Sequence, residues 1–341
     1  MAAKLNDVLI VDVWANPVGG VSTVSCLIPL SFNVGSAIPN LSHPKPVCLS
    51  PGVGQRLTLN DVQKPIPEVQ RLFQQSHSPY ADPAVMGRRP SPSELISWMD
   101  SAGVSQICLA SWRRPGQVIF SNAEVAEYTR AYPTRIFGLA SVDLLDPIAA
   151  VNELDHYVKK EGFKGLRIVP WLWNLPPTDA HYWPLYAKCV ELDVPFCTQV
   201  GHTGPLCPSE PGRPIPYIDT IALKFPTLKI VCGHIGAPWT AEMVAVAWKH
   251  ENVYIDTSAH LPKYYPRELV VFANTTGRKK VMFGTNFPQL TWKACVHSVT
   301  QHLTNTPDGL REHVIADFMG GNARRVFKLE NPHPTAPKAS L

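Results

Sequence analysis

Two histidines stand at matching places in this chain. His202 lies in GHTG and His234 in GHIG, each just after an apolar run of strand length and each flanked by glycine. Imidazole can move a proton near neutral pH and is also a common metal ligand. Flanking glycines let the backbone crowd a ligand. Such a pair, in register after adjacent strands, is expected to do chemistry. A third position is Asn286, in VMFGTNFPQ, where a buried strand surfaces into a loop. A carboxylate there would bind metal or move a proton. The neutral amide is expected instead to orient substrate or to donate to an oxyanion. Arg167, inside the apolar run FKGLRIVP, is expected to hold a substrate carboxylate or to pair with Asp256, because a buried charge needs a partner. Asn16 and the indoles of Trp14, Trp171, Trp173 and Trp239 complete the candidate binding set, the indoles as walls for a planar substrate.

These residues need a scaffold that brings strand ends together. Eight apolar runs recur: VLIVDVW, QICLASW, IFGLASVD, FKGLRIVP, VPFCTQVG, LKIVCGHI, NVYIDTSA and VMFGTN. They are continuous rather than alternating, the pattern of strands buried on both faces. Segments with helical spacing separate them. DPIAAVNELDHYVKKEGF opens with Asp146 as a cap and Pro147 at the first helical position. Eight strands alternating with helices predict an α/β fold, a (β/α)₈ TIM barrel whose active site lies at the C-terminal strand ends. A doubly wound open sheet is the alternative, but no G-x-G-x-x-G follows Trp14.

Residues 1–14 are assigned to the first strand, 65–330 to the rest of a single barrel and 331–341 to a disordered tail. Residues 15–64 do not fit: Lys45 is the only charge between Val13 and Gln55, and Ser, Pro and Gly abound. This stretch is expected to be a loop or a disordered insertion. Its prolines, asparagines and serines make it too polar and broken for a membrane span. The chain has 341 residues, 45% hydrophobic and 17% charged, enough for a large core. Its net charge of +4 is scattered, so no nucleic-acid footprint is seen. Eight cysteines without a C-x-x-C pair suggest buried thiols in a reducing compartment. The N-terminus makes a poor secretory signal, and a cytoplasmic protein is expected.

FKGLRIVPWLW, GHTGP, GHIG followed by PW, NVYIDTSA, FGTNFP and FMGGNARRVFKL together resemble the amidohydrolase-related family. The branch is the one that includes aminocarboxymuconate-semialdehyde decarboxylase and the resorcylate-type decarboxylases. The resemblance runs from about Pro90 to Leu329, plus the first strand. It implies a (β/α)₈ fold and a divalent metal, usually zinc. The family's ligands are an H-x-H ending strand one, a His ending strand five and an Asp ending strand eight, with an acid/base His after strand six. By this resemblance His202 takes the strand-five position and His234 the acid/base position. Trp14 and Asn16 stand in place of the H-x-H, and Asn286 in place of the Asp. Zinc sites want three or four His, Cys or carboxylate ligands. No metal ligand is therefore assigned and no cofactor is expected, a divalent metal such as zinc being the family's alternative. The leading expectation is a hydrolase acting on a small carboxylated cyclic or aromatic substrate. A non-oxidative decarboxylase is the second reading and a catalytically inactive binding protein the third. A homodimer is expected by analogy with the family.

Overall fold

The computed structural model describes residues 8–16, 89–203, 208–304 and 306–332. Of the insertion expected over 15–64 only residues 15 and 16 are described, Ala15 as the end of a strand. Residues 17–88, which include 65–88 expected in the barrel, and the tail beyond residue 332 lie outside the described residues, as do Cys26, Cys48 and Cys207.

All eight apolar runs form strands of one parallel sheet. In chain order they are β1 (Val11–Ala15), β2 (Gln106–Ala110), β5 (Ile136–Ala140), β6 (Gly165–Ile168), β7 (Phe196–Gln199), β8 (Ile230–Gly233), β9 (Val253–Asp256) and β10 (Val281–Met282). Nearly every residue in them is buried, as continuous apolar runs require. The sheet closes on itself. Asn286 N donates to Trp14 O at 3.0 Å, Asn16 N donates to Phe287 O at 2.8 Å, and Ala15 bridges Phe287 in parallel. This is the (β/α)₈ barrel, and the open-sheet alternative falls away.

Closure is held from within by Asp12. Its Oδ1 accepts from the backbone N of Trp14 and Thr285, and its Oδ2 from Thr285 Oγ1 (2.6 Å) and Trp292 Nε1 (2.7 Å). One buried carboxylate thus ties β1 to the loop after β10. The expected cap is also present: Asp146 accepts from Ala149 N, Pro147 opens the helix Pro147–Glu161, and left-handed Gly162 ends it.

A short antiparallel hairpin, β3 (Trp112–Arg114) and β4 (Gln117–Phe120), follows β2 and turns at Gly116, whose φ is +69°. Trp112, expected to end the second strand, instead opens this hairpin. Cys108, Cys189, Cys197, Cys232 and Cys295 are buried free thiols, as expected. No helix among the described residues is long and apolar enough to cross a membrane.

Candidate active site at the barrel mouth

Glycine geometry brings the two histidine loops together. After β8 the chain passes through three left-handed residues, His234 (φ 71°), Ile235 (φ 52°) and Gly236 (φ 77°). Two of them carry side chains, a conformation that costs about 1 kcal/mol or more each and clusters at functional sites. Gly201 (φ 99°) packs against this loop so closely that a Cβ would lie 2.6 Å from Ala237 O. His202 then fastens to the same carbonyl, through its backbone N at 2.7 Å and through Nδ1 at 3.0 Å. Donation by Nδ1 leaves Nε2 as its basic nitrogen.

A cavity of about 240 Å³ opens here. Its aromatic walls are Trp14, Trp112 and Trp171, and its polar lining is Gln199, His202, His234, His260, Asn286 and Gln289. The Trp14 and His234 ring centroids are 5.2 Å apart, and those of His202 and His260 are 6.4 Å apart. His234 Nε2 is buried and meets no hydrogen-bond partner among the described residues. Burial, then the neighbouring His260, Arg167 and His202, holds this imidazole well below its ordinary pKa. Burial brings His260 down to about 4. Both rings are neutral at neutral pH, so each carries one basic nitrogen.

Behind Trp14 the Arg167 guanidinium lies 4.6 Å from the Trp14 ring and 5.2 Å from that of Trp112, and Nη2 donates to Asn16 Oδ1 at 2.9 Å. Asn16 Oδ1 also accepts from Trp112 Nε1 at 3.1 Å, while Asn16 Nδ2 donates to Asn286 Oδ1 at 2.6 Å. Asn286 Nδ2 continues the chain to Gln289 Oε1 at 2.7 Å. On the other wall Trp171 Nε1 donates to Gln199 Oε1 at 3.0 Å.

Several expectations change on this geometry. Arg167 does not line the cavity and makes no ion pair with Asp256. It stacks between two indoles instead, only 2% exposed. Asn16 is likewise buried behind the wall. Asn286 Oδ1 accepts from Asn16, and Nδ2 gives one of its two N–H groups to Gln289, so a single N–H is left to it for a substrate oxygen. Trp239 lies outside the cavity, under the Arg213 guanidinium at 5.6 Å, and Trp173 is buried away from the lining. Strand five ends at Gln199, and His202 follows three residues later in the loop. His260, Gln199, Gln289 and Trp112 were not anticipated. His260 had a readable signal, since it follows NVYIDTSA as the other histidines follow their strands, with Ala259 (φ 65°) in place of a glycine.

Beneath the cavity floor, Asp256 is fully buried and accepts from Ser258 N at 2.8 Å and Ser258 Oγ at 3.1 Å. Gly284 makes room for it, since a Cβ there would lie 1.9 Å from Oδ1. Burial raises the Asp256 carboxyl to about 8, with Asp12 adding to the rise and Ser258 and Arg167 opposing it. The native state therefore holds a proton that the unfolded chain loses near pH 4. Stability present below about pH 4 should fall as pH rises and level off once the native pKa near 8 is passed. Asp256→Asn, which mimics the protonated acid, should flatten that decline. Urea titrations at several pH values would check this, and an unchanged slope in the variant would count against it.

A (β/α)₈ barrel with imidazoles and amides gathered at its C-terminal mouth defines the class of barrel enzymes whose chemistry is built on strand-end loops. The chain belongs to the amidohydrolase family, whose model matches residues 73–329. It is 29% identical over 182 residues to the gamma-resorcylate decarboxylase of a Polaromonas species, which covers 44% of this chain. The chain spans about half that curated relative's length, 52%. Among solved structures, an uncharacterized TIM-barrel protein from Bordetella bronchiseptica superposes with a TM-score of 0.66 at 22% identity, covering 77% of this chain and 91% of that one. A dihydroxybenzoic acid decarboxylase from Polaromonas, solved with bound manganese and the inhibitor 2-nitroresorcinol, gives a TM-score of 0.54 at 23% identity, over 71% and 87% of the two chains.

The manganese corrects the expectation that no cofactor is involved. A divalent metal is what the comparison supports. The described side chains of this protein do not assemble a ligand set for one. No group of three or more His, Cys, Asp or Glu residues is placed to hold an ion among the described residues. The amide oxygens of Asn16, Asn286, Gln289 and Gln199 already accept from protein donors.

Proposed function

We propose that this protein is a non-oxidative carboxy-lyase acting on a small hydroxylated aromatic acid. The observation that carries the reading is the unpartnered, neutral His234 Nε2 in a cavity walled by three indoles. Its volume of about 240 Å³ suits one substituted ring, since a hole of roughly 150 Å³ holds benzene. The similarity to a gamma-resorcylate decarboxylase supports a carboxy-lyase over the hydrolytic reading.

The indoles fix the ring plane, which converts proton transfer into an intramolecular event. His234 Nε2 takes the phenolic proton, and electron density moves onto the ring. The imidazolium returns that proton to the ring carbon bearing the carboxylate. The carbon–carboxylate bond then breaks, its electron pair returns to the ring, and CO₂ leaves. Water protonates the phenolate, which balances the reaction. Trp14 and Trp171 keep other water from the ring face.

With 2,6-dihydroxybenzoate as probe and manganese supplied, CO₂ and resorcinol should appear one for one. Ring-opened products from a lactone panel, with no CO₂ from any aromatic acid, would overturn the reading.

A further inference from the structure

The orientation of the two cavity glutamines is dictated from behind the wall. Arg167 and Trp112 can only donate, so the Asn16 atom facing them must be its oxygen. Asn16 Nδ2 therefore faces Asn286, which must present Oδ1. Asn286 Nδ2 then faces Gln289, which must present Oε1. Only one end of Gln289 remains, its NH₂ group, and no described residue accepts from it. The second wall follows the same logic. Trp171 Nε1 is donor-only and claims Gln199 Oε1, leaving an NH₂ whose one protein contact is a long 3.4 Å approach to His202 O. Amide orientations are ordinarily assignments, but here each is anchored at a group that has no acceptor.

We infer that Gln289, aided by Gln199, is the specificity-determining element of the cavity, a pair of carboxamide donors locked to receive an anionic oxygen of the substrate. The occupant is an aromatic carboxylate rather than its neutral ester, and the inference thus deepens the carboxy-lyase reading on which it rests. Donors already turned toward the cavity need little reorientation on binding, and the exposed Gln289 NH₂ exchanges water for the anion. Asn16 is a positioning residue, because its amide sets the polarity of the relay without reaching the cavity.

The test is calorimetric binding of 2,6-dihydroxybenzoate and of its methyl ester to the full chain. Wild type should prefer the acid. Gln289→Met should weaken acid binding about tenfold, the worth of one hydrogen bond to a charged group. Gln289→Glu, which turns an anionic oxygen to the cavity, should weaken it about a hundredfold. Ester binding should stay within about twofold in both. Asn16→Asp should reverse the relay, because its carboxylate forces Asn286 and then Gln289 to flip, and should lower the acid-to-ester ratio while the fold is retained. A purely structural role would lower both ligands together. Equal loss of acid and ester, or acid binding unchanged in Gln289→Glu, would overturn the inference. The two claims separate cleanly. Acid binding lost in Gln289→Glu, with no CO₂ from any acid, keeps the anion site and removes the decarboxylase. CO₂ release with unchanged kcat/KM in Gln289→Glu does the reverse.

Discussion

Replacing His234 by alanine is expected to cut turnover by about 10²–10⁴-fold while leaving the fold intact, the range for losing a general acid–base group. The side chain lies at the mouth rather than in the hydrophobic core, and its Nε2 holds no protein partner, so no buried donor is stranded by its removal. The pH profile should follow from the same geometry. The imidazole is held well below its ordinary pKa by burial. Protonation should therefore inactivate the enzyme only well below pH 6.5, and the rate should stay level from there to neutrality. His260→Ala should cost less, because that ring hydrogen-bonds the His234 backbone and acts by holding it. Near-full activity in His234→Ala on a verified substrate would remove His234 from the mechanism.

Asp12→Ala carries the largest expected loss of stability. The carboxylate accepts four hydrogen bonds in the barrel interior, two from backbone nitrogens and two from Thr285 Oγ1 and Trp292 Nε1. Each stranded buried donor costs about 1–3 kcal/mol. Relief from burying the carboxylate, which burial pushes above its usual range, offsets part of this. A net loss of about 4 kcal/mol is expected, or roughly a 10 °C fall in melting temperature for a domain of this size. Asp12→Asn keeps the shape and part of the acceptor capacity, and should fall between. A melting temperature for the alanine variant within about 2 °C of wild type would show that closure does not depend on this residue.

The barrel was legible because its strands are buried on both faces, and such strands leave unbroken apolar runs. The Trp112–Phe120 hairpin was not, since three- and four-residue strands of mixed polarity leave no period to read. At the site, glycine-flanked His202 and His234 were visible, as were Trp14, Trp171 and Asn286 in the lining. What escaped was side-chain partnership across long separations. Asn16 and Asn286 lie 270 positions apart, and their contact commits an amide that the sequence offered as free. Arg167 looked like a substrate anchor because the sequence cannot show a cation stacked between two indoles. Gln199 was passed over because the visible histidine lay three residues on. The absence of familiar ligands was read as the absence of a cofactor, which the manganese in a similar enzyme corrects.

The central claim is loss of a carboxylate from an aromatic ring, with a proton delivered to the vacated carbon. Incubating the protein with carboxyl-¹³C 2,6-dihydroxybenzoate in D₂O, with manganese supplied, follows both events at once. The account predicts that the label appears wholly in CO₂ and bicarbonate, that the resorcinol carries one deuterium at the vacated position, and that His234→Ala suppresses both. Label retained in an organic product, or release of CO₂ that His234→Ala leaves unchanged, would contradict it.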